Sequence, residues 1–292
     1  LGLPDALARI LAARGFQEAD AERHFDASLK AWMPDPSSFA DMDKAASRIA
    51  DAIVSGEKTA VFGDYDVDGG ASSALMARYF RALGRELRIY IPDRMTEGYG
   101  PNAAAMRTLA GEGVSLVVTV DCGAQAFEAF DAARAAGLSV VVADHHMMDA
   151  RTPHAFAIVN ANRPGDNSGL GHLCAAGVTF MLLAAVSREL RRRDWFAGAG
   201  VGEPDLRQSL DLVALATVCD VVPLTGLNRA FVRQGLKVVA QTTNAGLKAL
   251  VGLAAPKGPM RASHFGFALG PRVNAGGRVG RSDLGALMLS SD

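Results

Sequence analysis

The chain has 292 residues, 49% of them apolar and 21% charged, with a formal net charge of -1. This gives a globular protein of one extended domain or two with a large core, and it excludes a generally basic nucleic-acid coat, so any basic surface is local. No apolar run approaches the roughly 18 residues that span a bilayer, and the scattered Cys122, Cys174 and Cys219 form neither a disulfide framework nor a paired zinc spacing, so a cytoplasmic protein without a membrane partner is expected.

The first 55 residues are helical in pattern. Leu7, Ile10 and Leu11 recur at helical spacing, the turn-rich MPDPSSFADMD follows, and another helix runs through Ile53. The opening LGLPDALARILAARGF lacks both an initiator Met and a secretory pattern, and reads as a trimmed or fragmentary chain. From residue 58 the apolar runs KTAVFGD, ELRIYIP, SLVVTVD and LSVVVAD alternate with helical segments at 70–83, 102–111 and 124–136. Continuous β-branched runs separated by helices predict a parallel sheet covered on both faces. Past residue 160 helices are expected over 174–193, 206–219, 227–240 and 244–253, and AAPKGPM places a boundary near 255. The expected division is a helical cap over 1–55, an α/β domain over 56–225, connecting helices over 226–255, and the start of a second domain over 256–292.

VFGDYDVDGG, residues 61–70, crowds Asp64, Asp66 and Asp68 together after an apolar run. Like charges this close raise one another's pKa unless a cation or a set of donors neutralises them. If the strand runs on, the three side chains share one side, as ligands of one ion must. The string resembles the opening of a calcium loop, but Leu75 stands where that loop needs Glu, and strand instead of helix precedes it. Asp64, Asp121 and Asp144 each end a separate strand-like run, at the sheet edge where ligands bind in open α/β folds. In VVADHHMMD, Asp144 precedes His145 and His146 and can fix a histidine tautomer. Asp220 in ATVCDVVP completes a carboxylate and imidazole set that favours manganese or magnesium over thiolate-bound zinc. No phosphate-cradling Gly-x-x-x-x-Gly-Lys loop, Gly-x-Gly-x-x-Gly turn or nucleophile elbow appears.

GDYDVDG, DCG, DHH, CAAGVTF, CDVVPL and GPRVNAGGR, in this order, resemble the DHH phosphoesterase superfamily and, within it, the RecJ single-stranded-DNA exonucleases. The resemblance runs from about residue 40 to the end. It implies a parallel-sheet DHH phosphoesterase domain with a helical N-terminal cap and the beginning of a DHHA1-like nucleic-acid-binding domain. It also implies two divalent cations, Mn2+ or Mg2+, and hydrolysis of single-stranded DNA from its 5′ end to mononucleotides in repair and recombination. On this resemblance Asp66 and Asp121, assisted by Asp64, hold one metal, and Asp68, Asp121, His145 and Asp220 hold the other. Asp121 bridges them, and His146 faces the scissile phosphate with Asp144 behind it. Arg272, Asn274 and Arg278 match a DNA-contacting segment, and Arg94 stands near the 5′ phosphate. Single-strand-binding protein and a helicase are implied as further partners. Phe62 departs from the pattern, standing where many relatives carry His.

The alternatives are a short-oligonucleotide nuclease or small-phosphoester phosphatase of the same superfamily, and a non-catalytic single-strand-binding relative. Retention of every carboxylate and both histidines weighs against the last. Lys257, Arg261, Arg272, Arg278 and Arg281 lie in a stretch with no acidic residue from 257 to 281, the clearest basic segment of the chain, with Phe265 and Phe267 as its aromatic residues.

Overall fold

A computed structural model describes residues 2–292. Strands β1 (Thr59–Gly63), β2 (Leu87–Tyr90), β3 (Leu116–Val120), β4 (Ser139–Ala143) and β5 (Ala157–Val159) form a parallel sheet in the order β2-β1-β3-β4-β5. The three-residue strand β5, the AIV of FAIV, is absent from the sequence-based expectation; it is too short to stand out from its flanking turns.

The β-branched runs face both ways because successive side chains alternate across a strand. Val61, Leu116, Val118, Val120, Val141 and Ala143 point to one face and join a core with α3 (Met42–Ser55), α4 (Val67–Ala82) and α7 (Ala175–Arg192). Phe62, Val117, Val140 and Val142 point to the other and pack under α5 (Ala103–Gly111) and α6 (Phe127–Ala135). Phe62 is fully buried there and stacks on Tyr90, ring centroids 5.2 Å apart. The chain runs from β1 outward to β2, then crosses back to β3 and continues to β4 and β5. The loops leaving β1 and β3 therefore diverge and open a crevice at the carboxyl edge, the place where such sheets bind ligands.

The N-terminal segment adds α1 (Asp5–Ala13) and α2 (Glu18–Phe25). After the sheet come α8 (Leu210–Cys219), α9 (Gly226–Val239), α10 (Ala245–Ala254), α11 (Gly270–Val279) and α12 (Leu284–Leu289). Residues 256–292 pack directly on this body: Phe265, Leu269, Val273 and Leu289 lie in the same core as α4 and α8. Arg78 and Arg81 of α4 reach Asp292 at 2.9 and 2.7 Å. Phe265, expected on the basic segment as a stacking residue, is fully buried, whereas Phe267 is 87% exposed. Among the described residues no helix is long and apolar enough to cross a membrane.

Candidate metal centre

The first loop departs from the extended strand expected of it. Strand β1 stops at Gly63, and Asp66 caps α4, its carboxylate accepting from the N–H groups of Asp68 and Gly69 at 2.9 and 3.0 Å. The alternation that would have aligned Asp64, Asp66 and Asp68 is thus replaced by a turn, which an Asp N-cap stabilises by about 1 kcal/mol over Ala. Gly69 permits the tight entry, since a Cβ there would come within 2.5 to 2.7 Å of the Asp64 backbone. Asp68 then points inward to the start of α7, where its two oxygens accept from Ala175 N–H at 2.6 Å and Ala176 N–H at 2.8 Å. The small residues of CAAGV let a carboxylate from a distant loop reach that helix terminus, whose dipole favours a negative charge.

Asp121 follows β3 at the switch point with a left-handed φ of 59°. Asp144 follows β4 and is fully buried. Its Oδ2 accepts from Ala124 N–H at 2.9 Å, stitching the β3 and β4 loops together, while Oδ1 accepts from the His145 and His146 N–H groups and pairs with His146 Nδ1 at 2.7 Å. The contact places Asp144 where a carboxylate can fix a histidine tautomer. Asp220 ends α8 as its C-cap residue.

These elements bring the predicted residues together. His145 Nε2 lies 3.3 Å from Asp121 Oδ1 and 3.8 Å from Asp68 Oδ2, and its Nδ1 lies 3.7 Å from Asp220 Oδ2. Asp68, His145 and Asp220 each offer a ligand atom within 4.8 Å of the others, as do Asp64, Asp66 and Asp121, and also Asp121, His145 and His146. Atoms that close can share a cation at the roughly 2.0 to 2.6 Å that hard divalent ions take with oxygen.

The electrostatics fit a cation. Burial, reinforced by Asp66, pushes Asp64 up to about 6, and burial, Asp220 and Asp66 push Asp68 up to about 8. Burial also drives Asp121 well above the usual carboxylate range and raises Asp220. Burial holds His145 below its ordinary value, so it is neutral and free to donate a lone pair. The hydrogen bond to Asp144 raises His146. Burial opposes charge on Asp144, but the His146 contact outweighs it and holds this carboxyl low. Asp220 Oδ2 is buried without a hydrogen-bond partner, and its place at a helix C-terminus is unfavourable for a carboxylate. Among the described residues, no lysine or arginine forms an ion pair with Asp64, Asp66, Asp68, Asp121 or Asp220. A buried oxygen-rich set with one neutral imidazole suits manganese or magnesium.

A pH dependence follows. Carboxyls whose folded pKa is raised stabilise the fold fully below their unfolded value near 3.8 and lose that contribution as pH rises through about 6 for Asp64 and about 8 for Asp68. His145 and His146, displaced in opposite directions, oppose one another. The melting temperature in EDTA is therefore expected to fall from pH 5 to pH 8, and the gain from added manganese to widen, since ligand deprotonation no longer competes. A melting temperature in EDTA that is flat or rising over this range would contradict the reading.

Two contacts bring candidate nucleic-acid segments to the loop after β1. The Arg94 guanidinium sits over the Tyr65 ring at 5.3 Å. Gly277 packs on the Tyr65 carbonyl, and Asn274 and Arg278, four apart on α11, share the adjoining helix face. Asn274 Oδ1 is buried and unpartnered, while Arg272 donates back to the Ala268 carbonyl at 2.6 Å. Arg281 is paired with Asp283, and this removes it from the free basic set. Three residues at the site were not anticipated. Tyr99 donates to the Asp121 carbonyl at 3.3 Å, and Asn160 and Asn162 donate to the His146 and His145 carbonyls. The strand-end position that singled out Asp144 also marks Asn160, directly after AIV. A cavity of about 530 Å³ opens against His146 and Asp144, walled by Tyr99, Pro101, Gln125 and Met147.

Fold and cluster together define a doubly wound α/β protein built to hold divalent cations at its switch point. The chain belongs to the DHH family, whose N-terminal domain profile matches residues 58–217, more than half of its length. It is 36% identical over 293 residues to the single-stranded-DNA-specific exonuclease RecJ of Bacillus subtilis, covering 100% of this chain and 35% of that protein. It is 36% identical over 295 residues to the Escherichia coli RecJ, covering 99% and 50%. A crystal structure of exonuclease RecJ bound to manganese superposes with a TM-score of 0.75 at 30% identity, over 86% of this chain and 61% of that one. The Thermus thermophilus RecJ in complex with Mn2+ gives 0.76 at 28% identity, over 97% and 38%. The chain thus spans a third to a half of the length of these curated relatives.

Proposed function

We propose that this chain is the catalytic core of a single-stranded-DNA exonuclease that hydrolyses phosphodiesters from the 5′ end and releases 5′-mononucleotides with two divalent cations, Mn2+ or Mg2+. The observation that carries this reading is the position of Asp121, within reach of Asp64 and Asp66 on one side and 3.3 Å from His145, itself 3.8 Å from Asp68, on the other. Its relatives' names supply the substrate class. Asp64, Asp66 and Asp121 would hold one cation, and Asp68, Asp121, His145 and Asp220 the other. Bound there, the cations supply a water acidic enough to attack near neutral pH and positive charge beside the leaving oxygen.

The protein's own groups do the rest. His146, its Nδ1 held by Asp144 and its side chain 48% exposed at the cavity, donates to a phosphate oxygen as negative charge develops. Arg94 attracts the 5′ phosphate. Arg272, Asn274 and Arg278 hold the strand that follows. Single-strand-binding protein and a helicase would present such strands, and the unpaired Cys122, Cys174 and Cys219 support a reducing, cytoplasmic setting.

Digestion of 5′-phosphorylated, end-labelled single strands with manganese tests the reading. Labelled mononucleotide should appear from the first time points, and EDTA should stop its release. Release of free phosphate alone would make the chain a phosphatase, and no release from any strand would overturn the proposal. In binding of the same strand across a salt series, Arg278→Ala should lower the salt slope by about 0.7 log units per log unit of salt, the loss of one phosphate contact. An unchanged slope with unchanged cleavage would remove Arg278 from the strand path.

A further inference from the structure

The backbone of the two histidines has no free polar group. Both N–H groups are taken by Asp144 Oδ1 at 2.7 and 3.2 Å. Both carbonyls are taken by the segment after β5: Asn160 Nδ2 donates to His146 O at 2.9 Å, and Asn162 Nδ2 donates to His145 O at 2.5 Å. Asn160 is fully buried, and its Oδ1 accepts from Asn162 N–H at 2.8 Å, so the two amides form one unit. Asn162 has a second task. Its Nδ2 also donates to Gly171 O at 3.0 Å, in the loop that leads to α7, whose first N–H groups hold both oxygens of Asp68. Gly171 is required for this approach, because a Cβ there would collide with Asn162 Oδ1.

We infer that Asn162 is a positioning residue that sets the separation of His145 from Asp68 by tying the backbone under one to the loop that anchors the other. The role rests on the metal-binding reading above. The two ligands come from elements about 80 residues apart, after β4 and at the start of α4, and their 3.8 Å approach depends on whatever fixes the β4 loop against the start of α7. Asp144 secures the His145 N–H from the β3 side, but among the described hydrogen bonds Asn162 alone joins the His145 carbonyl to the 169–174 loop. One amide nitrogen carries both bonds, so a side chain of the same shape without a donor cannot replace it. Groups that orient metal ligands in this way typically account for 10- to 100-fold in metal affinity.

The test is manganese titration by calorimetry on the whole chain and on Asn162→Ala, with far-ultraviolet dichroism and metal-free melting as folding checks. Expected is manganese binding weaker by about 10-fold or more in a variant that folds normally, with cleavage recovering as manganese is raised. Gly171→Ala, which displaces Asn162 without altering it, should weaken manganese in the same way. Should Asn162→Ala fail to fold, Asn162→Asp fills the same space without the donor and should show the same loss. Manganese affinity equal to the parent's in a folded variant would overturn the role. Parent protein that binds manganese but leaves single strands intact would overturn the proposed function and leave the Asn162 comparison standing, because binding is read without turnover.

Discussion

Asp121→Ala is expected to lower turnover on single strands by about 10³-fold or more, the upper end of what one preorganised electrostatic group supplies, and to weaken manganese binding with it. Asp121 is 2% exposed, sits on a left-handed backbone at the divergence of the β1 and β3 loops, and is the carboxylate within reach of both halves of the cluster. Its removal takes an oxygen ligand from each half of the cluster, so neither half keeps its affinity. The fold should survive, because the Asp121 N–H to Ala143 O bond belongs to the backbone and does not depend on the side chain. Titration calorimetry beside steady-state cleavage reads both effects. A variant that keeps parental turnover would show that the two groups of ligands do not depend on Asp121.

His146→Ala should behave differently, keeping manganese while turnover falls by roughly 10²- to 10³-fold. The ring is half exposed at the cavity, and the Asp144 contact that raises its pKa also aims it outward, so its loss removes a donor to developing charge and leaves the buried carboxylates in place. His145 remains within 4 Å of Asp68, Asp121 and Asp220. The contrast with Asp121 is the informative result. If manganese affinity drops in a folded His146 variant, His146 belongs among the ligands, as its closeness to Asp121 and His145 would then allow.

Much of this site was legible in the sequence because parallel strands buried on both faces write themselves as continuous β-branched runs. The acids that end those runs fall on one sheet edge whatever the helices do. Asp64, Asp121 and Asp144 were placed by that rule. What remained hidden depends on partners far along the chain. Asp66 and Asp68 lie on a helix start instead of an extended strand, because the Asp66 carboxylate and the close approach at Gly69 turn the backbone, and local alternation cannot anticipate either. Asp68 finds its donors at Ala175 and Ala176. Asn160 and Asn162 follow a three-residue strand too short to register as a periodic pattern. Phe265, read beside Phe267 as available for stacking, is core because the segment from 262 to 269 packs on α8, and nothing within that segment distinguishes the two rings.

Two cations sharing Asp121 would show directly in crystals grown or soaked with manganese, through anomalous scattering. Two peaks are predicted, both within about 2 to 2.6 Å of an Asp121 oxygen. One should be shared with Asp64 and Asp66, and the other with Asp68, His145 and Asp220. A single peak, or peaks that leave Asp121 uncoordinated, would contradict a two-cation centre bridged by Asp121.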